Sequence, residues 1–252
     1  MPISRLFLNS KAFSKRANNS LAHLLFIASD RREAEPWVTR WKGVRPMNLP
    51  VHWARAGKWN GRDVIAVANG VGSVHAIAAV KTVKESIDSL SGICSIGTGG
   101  GLDSSMNIAD VVVANSVTDG ERTWPACNPG GPPVRSGLVR TSPHIARTAA
   151  EKSNLARSGA ILVEMEAAGV ACTAQEMAVP FYCVRTVSDL ASETFLIDFE
   201  RFLMPDGRFN VPSLVLSALS HPVRGFGELL QLQRRTSAAA NRLGEFLAKC
   251  NF

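Results

Sequence analysis

The residues best placed to do chemistry are acids at the ends of hydrophobic runs. Glu164-Met165-Glu166 follows the apolar residues 160–163 and precedes the small-residue segment Ala167-Ala168-Gly169-Val170-Ala171. If a strand persisted through them, alternation would put both glutamates on one side and Met165 on the other. Ser188-Asp189 closes a second apolar run, 181–187. Acids at such positions suit proton transfer or stabilisation of a developing positive charge. Each could equally just open a helix, through the dipole or as a cap. Two more strand ends are polar: Ser29-Asp30-Arg31-Arg32-Glu33 and Gly97-Thr98-Gly99-Gly100-Gly101. The glycine run could cradle a phosphate or a ribose through its N–H groups, or be only a tight strand-to-helix turn. It lacks the GxGxxG spacing of a dinucleotide fingerprint. Five scattered histidines and five cysteines without a CxxC pair give no reason to expect a metal, a cofactor or a disulfide framework.

Behind these residues lies an alternation of strand-like and helix-like segments. Residues 24–28, 93–96, 111–114, 160–163 and 181–187 are short apolar runs that read as buried strands. Residues 51–56 and 64–68 flank Asn60-Gly61, a hairpin signal that makes the sheet mixed. Residues 29–33 open a helix; 74–86, 143–155, 166–177 and the chain from 211 onward, interrupted at His221-Pro222, read as helical. Four prolines and two glycines within 123–133 predict a surface loop. The expected architecture is a single α/β domain over 23–252, a central mixed β-sheet flanked by helices, with ligands bound beyond the carboxyl ends of its strands. Residues 1–22 read as a basic, flexible extension.

Taken together, the motifs resemble the nucleoside phosphorylase/nucleosidase superfamily, which includes purine nucleoside phosphorylases and methylthioadenosine/S-adenosylhomocysteine nucleosidases. LVEMEAAGVA and, some twenty residues on, VRTVSDLA carry the likeness, with ICSIGTGGGLD, IADVVVANS and ANGVGSVHA upstream in the family's order. Ala109 stands where the family has a glycine. The resemblance implies a purine nucleoside substrate, Met165 packed on the ribose, Glu166 hydrogen-bonded to its hydroxyls and Asp189, after Ser188, at the purine N7. It places Thr98 near the nucleophile, Gly99 and Gly100 along the base pocket, and Glu33 against an attacking water. It also implies a homo-oligomer, a dimer. These roles are chemically sensible. A protonated purine leaves more easily than its anion, so an acid near N7 lowers the barrier, typically by about 10²–10⁴-fold. A carboxylate beside the ribose favours the oxocarbenium charge.

The nucleophile is water or phosphate. Phosphate needs cationic forks. Where the family's phosphorylases carry arginines, this chain has Ser95 and Glu33, which points to hydrolysis. Arg31 and Arg32 keep phosphate as the alternative, and a nucleoside-binding protein without activity is a further one.

The net charge of +7 is unevenly spread: +9 over residues 1–62, −6 over 63–200 and +4 over 201–252. No nucleic-acid motif accompanies it, so no nucleic-acid partner is expected. No apolar run is long enough to span a bilayer, and the N-terminus lacks the apolar core of a secretory signal, so the expected location is cytoplasmic. Residues 142–160 and the tail after Asp189 resemble the hopanoid-biosynthesis-associated branch, which implies a lipid-linked adenosine such as adenosylhopane and peripheral contact with an anionic membrane; a small soluble nucleoside such as methylthioadenosine is the alternative substrate. An apolar stripe (Phe226, Leu229, Leu230, Leu243, Phe246, Leu247) fits that reading or ordinary packing of a helix on the core.

Overall fold

In the computed structural model, which describes residues 22–219 and 225–252, the predicted alternation becomes ten strands and six helices. The basic extension, apart from its last residue, and the His221-Pro222 interruption lie outside the described residues. Strand β1 (His23–Ala28) leads through Asp30 into α1 (Arg31–Val38). The Asp30 side chain accepts the Arg32 N–H, and Glu33 reaches back to the start of the helix, completing a capping box. An edge strand β2 (Lys42–Pro46) precedes the hairpin β3 (Trp53–Trp59) and β4 (Arg62–Ala68). Its turn is Asn60-Gly61 as predicted, with φ of 48° and 79°, the pair of positive values that a type I′ turn requires.

After α2 (Ser73–Ser86) comes β5 (Leu90–Gly101), the longest strand. Of the two readings of the glycine run, the strand-to-helix turn does not hold: the run is the end of this strand. β10 pairs with β5 from Ile93 to Gly100, while the other edge of β5 is shared by β1 and then by β9 at Gly100 and Gly101. Pairing with β10 along Gly97–Gly100 and with β9 at Gly100 and Gly101 holds the glycines extended, and glycine alone permits the close approach. A Cβ on Gly99 would lie 2.6 Å from Leu162 and from the Val163 carbonyl.

β6 (Val111–Thr118) carries a short edge strand, β7 (Thr123–Pro125), inside the segment predicted to be a loop. β8 (Arg135–Thr141), α3 (Ala149–Ala156), β9 (Ala160–Glu164), α4 (Ala167–Glu176) and β10 (Phe181–Asp189) follow. α3 begins six residues later than the sequence suggested, because Ser142 forms a turn with His144 and Thr148 is the true N-cap, boxed with Glu151. A 3₁₀ turn (Phe199–Phe202), α5 (Val211–Leu219) and α6 (Gly225–Leu247) complete the chain.

The sheet is mixed, as expected, but not simply open. Pairings β5–β10, β10–β6, β6–β8, β8–β9 and β9–β5 close five strands into a ring, with β1, β4, β3 and β2 extending from it. Period-2 alternation sorts the core onto two faces. Leu25 and Ile27 pack with Val80 and Val83 of α2 and Val170 and Ala174 of α4, while Leu24 and Phe26 pack with Trp37, Leu243, Phe246 and Leu247 from α1 and α6. The C-terminal half of the apolar stripe is therefore core. Phe226 and Leu230, in its N-terminal half, remain exposed.

Candidate active site

Three chain segments converge on the last residues of β5: the start of α1, the β9–α4 junction and the end of β10. Glu33 arrives first. Its Oε1 accepts the Thr98 N–H (2.8 Å) and hydroxyl (3.0 Å), and its Oε2 accepts the Ser29 N–H (3.1 Å) and hydroxyl (2.8 Å). Capping box and site are thus one arrangement, and the loop is fixed with Arg31 and Arg32 facing solvent. The backbone at Gly97 shows why it must be glycine. A Cβ there would sit 2.4 Å from Arg185 Nη1 and 2.8 Å from Glu33 Oε1.

Arg185, on β10, is the centre of the site. It is only 1% exposed, and its Nη2 donates to Glu164 and to Ser95 Oγ (2.8 Å), with Glu166 Oε2 at 3.6 Å. Burial opposes its charge, but Glu164, Glu166 and Glu33 raise its pKa above the ordinary arginine value. Nε and Nη1 find no protein partner.

Strand β9 stops at Glu164, so the alternation expected through Glu166 ends there, yet both acids still reach Arg185. Glu164 Oε2 also accepts the N–H groups of Glu166 (2.9 Å) and Ala167 (2.8 Å), capping α4 from inside the protein. Its Oε1 accepts the Thr141 hydroxyl, which in turn accepts the Ala168 N–H. Glu166 bends the other way and accepts the Gly72 N–H (2.8 Å). Burial pushes its pKa up to about 8; the charges of Glu164 and Glu33 add to the rise, while Arg185 and the Gly72 N–H oppose it.

Gly72 and Met165 belong to the wall of a cavity of about 510 Å³, together with Ser73, His75, Thr141 and Leu203. The Ser73 hydroxyl donates to the Met165 carbonyl (3.1 Å), tying the two walls together.

At the other end stands Asp189. The Ser188 hydroxyl lies 2.7 Å from Asp189 Oδ1 and 3.1 Å from the Gly99 carbonyl. Gly100 is again a close approach, its absent Cβ only 2.9 Å from Asp189 Oδ2. That oxygen meets the ammonium of Lys152 at 2.5 Å, and Lys152 is completely buried. From Gly97 to Gly100 the strand advances about 10 Å, which sets the Glu33 and Asp189 ends apart along β5.

The structure therefore gathers Glu33 with Thr98, Met165 at the cavity with Glu166 behind its Gly72 wall, and Ser188 and Asp189 with Gly99 and Gly100. Sequence reasoning missed Arg185, Lys152, the capping role of Glu164 and Gly72. Arg185 had a signal, a lone charge within the apolar run 181–187. Lys152, in a polar helical segment, had none.

Residues 125–248 match the Phosphorylase superfamily model. The chain is 28% identical over 197 aligned residues to a 5'-methylthioadenosine/S-adenosylhomocysteine nucleosidase of Geobacillus sp. (strain WCH70), covering 65% of this chain and 83% of that one. Its fold matches the S-adenosylhomocysteine nucleosidase of Streptococcus pyogenes, solved with 5-methylthiotubericidin, at a TM-score of 0.69, with 17% identity over 91% of this chain and 95% of that one. The futalosine hydrolase of Helicobacter pylori matches at a TM-score of 0.66, with 14% identity over 90% and 96%.

Proposed function

We propose that this chain, whose residues 125–248 match the Phosphorylase superfamily model and whose fold is like that of a solved nucleosidase, hydrolyses the N-glycosidic bond of an adenine nucleoside. The observation that carries the reading is the charge balance of the site: one guanidinium, Arg185, surrounded by Glu33, Glu164 and Glu166. Even with Glu166 protonated below about pH 8, two carboxylates beside one guanidinium disfavour phosphate and suit both a water nucleophile and a cationic ribosyl centre.

In this reading the ribose lies against Met165 with its hydroxyls on Glu166, and the base extends toward Asp189, which protonates N7 as the C1′–N9 bond breaks. Water attacks C1′ from the Glu33 side. Of the donors on Glu33, the hydroxyls of Ser29 and Thr98 can rotate aside, which frees a lone pair to take the proton of the water. The unpaired Nη1 of Arg185 is a donor for the oxygen of that water. Product analysis with an adenosine substrate tests this. Free ribose and adenine should form at the same rate with and without phosphate, and appearance of ribose 1-phosphate would replace the hydrolase by a phosphorylase.

A second reading, a lipid-linked adenosine met at an anionic membrane surface, is favoured by one feature. Helix α5 leaves Val211 (49%) and Leu216 (71%) exposed, as Leu196 (59%), Phe226 (39%) and Leu230 (39%) are nearby in the chain's last third. α5 packs on the 3₁₀ turn that leads into Leu203 at the cavity wall. Among the described residues no helix is long and apolar enough to cross a membrane. Adenosines with long 5′-alkyl chains should then outperform methylthioadenosine, and the protein should sediment with anionic vesicles at low salt. Preference for the small thioether without vesicle binding would leave the soluble substrate alone.

A further inference from the structure

We infer that Lys152 supplies the proton that Asp189 delivers to the leaving base. The inference rests on the nucleosidase reading and extends it to a residue that never touches the substrate. Three acceptors surround the Lys152 nitrogen: Asp189 Oδ2 at 2.5 Å and the carbonyls of Leu190 at 2.8 Å and Glu193 at 3.4 Å. The Lys152 ammonium donates hydrogen bonds to the two carbonyls and is ion-paired with Asp189. With the proton on the lysine, however, Asp189 has none to give.

The same three contacts fit the alternative proton position equally well. A neutral amine keeps two N–H donors for the two carbonyls, and its lone pair accepts the O–H of a protonated Asp189. Neither arrangement leaves a buried polar group unpaired, so moving the proton carries no lost hydrogen bond. The site is also fixed against rearrangement. Lys152 is fully buried beneath the ring of Phe195, with its nitrogen 5.2 Å from the ring centre. Glu193 holds the turn beyond Asp189 by accepting the Leu190 N–H (2.8 Å), and its other oxygen pairs with Arg235 of α6 (2.6 Å).

The steps balance. A proton passes from the Lys152 ammonium to the Asp189 carboxylate, and from Asp189 to N7. The C1′–N9 electron pair leaves with the base as neutral adenine. Water adds to C1′ and gives one proton to Glu33. Glu33 releases that proton to solvent, Lys152 regains one through Asp189, the less buried member of the pair, and the enzyme is restored.

Lys152 is thus a positioning and proton-supplying residue acting through Asp189, and its effect should depend on the leaving group. Lys152→Met should slow adenosine cleavage by about 10²–10⁴-fold. It should slow 4-nitrophenyl riboside, whose phenolate leaves unprotonated, far less. Lys152→Arg keeps the charge but cannot release a proton, so it should be about as slow as Lys152→Met on adenosine. The double variant Lys152→Met/Asp189→Asn has no unpaired charge and should match Asp189→Asn alone. Near-wild-type adenosine cleavage by Lys152→Arg would overturn the proton supply and leave only a fixed charge. Equal losses of Lys152→Met on both substrates, or a double variant much slower than Asp189→Asn, would overturn action through Asp189. A wild-type protein inert toward both ribosides would instead remove the nucleosidase reading itself.

Discussion

The two ends of the site are both built on buried ion pairs, yet they are built differently. Around Arg185, one permanent cation faces three carboxylates, and one of these, Glu166, has its pKa pushed up to about 8. Around Lys152, one cation faces one carboxylate and donates to two backbone carbonyls. Guanidinium cannot release its proton, so the first end can only supply a fixed field. An ammonium can, so the second end can move a proton. In the proposed nucleosidase reaction, the positive charge of an oxocarbenium and the proton needed by a leaving base would call for these two designs respectively.

The largest effect expected from breaking this contrast is at the proton-moving end. Asp189→Asn should lower kcat by about 10²–10⁴-fold while leaving nucleoside binding largely intact. Steady-state kinetics beside a binding titration checks it, and near-wild-type turnover would remove Asp189 from the chemistry.

At the fixed-field end the expected signature is stability. Arg185→Met leaves Glu164 and Glu166 buried without a cation, which should cost about 3–5 kcal/mol in urea unfolding. A loss under about 1 kcal/mol would mean that the acids are relieved some other way.

Glu166→Gln should weaken ribonucleoside cleavage by about 10–100-fold, the weight of a hydrogen bond to a charged group. A 2′-deoxynucleoside should lose less, and equal losses would separate Glu166 from the 2′-hydroxyl. The same residue sets a pH dependence. Its folded pKa of about 8 lies above the ordinary value of 4.5, so its contribution to stability is complete below about 4.5 and is lost as pH rises through about 8. Activity should run the opposite way, with kcat/KM rising toward about pH 8 as the carboxylate ionises. Glu166→Gln should flatten both trends.

The smallest effect concerns the loop between β5 and β6. Ala109 adopts φ of 66°, a left-handed conformation that costs a residue with a Cβ about 1–2 kcal/mol. Its N–H is held by the Val187 carbonyl (2.8 Å), two residues before Asp189. Ala109→Gly relieves the strain but loosens the unfolded chain, so a gain of up to about 1 kcal/mol is expected. A lower melting temperature would show that the turn is not strained.

What the sequence determined by itself was everything that a local pattern can carry. Apolar runs placed the principal strands, Asn60-Gly61 set the hairpin, and the strand-end motifs collected Glu33, Thr98, Glu166 and Asp189, because turn chemistry and periodicity act between neighbours in the chain. Only the tertiary structure decided how those motifs are wired. The glycines of β5 are extended rather than turned because β10 and β9 pair on either side of them. Pairings across 65 to 94 positions join Glu33 to Thr98, Ser95 to Arg185 and Gly72 to Glu166. Lys152, unmarked in its polar helix, becomes a buried partner of Asp189 only when α3 packs beside the end of β10. Burial and pairing are properties of distant segments brought together, and no local spacing encodes them.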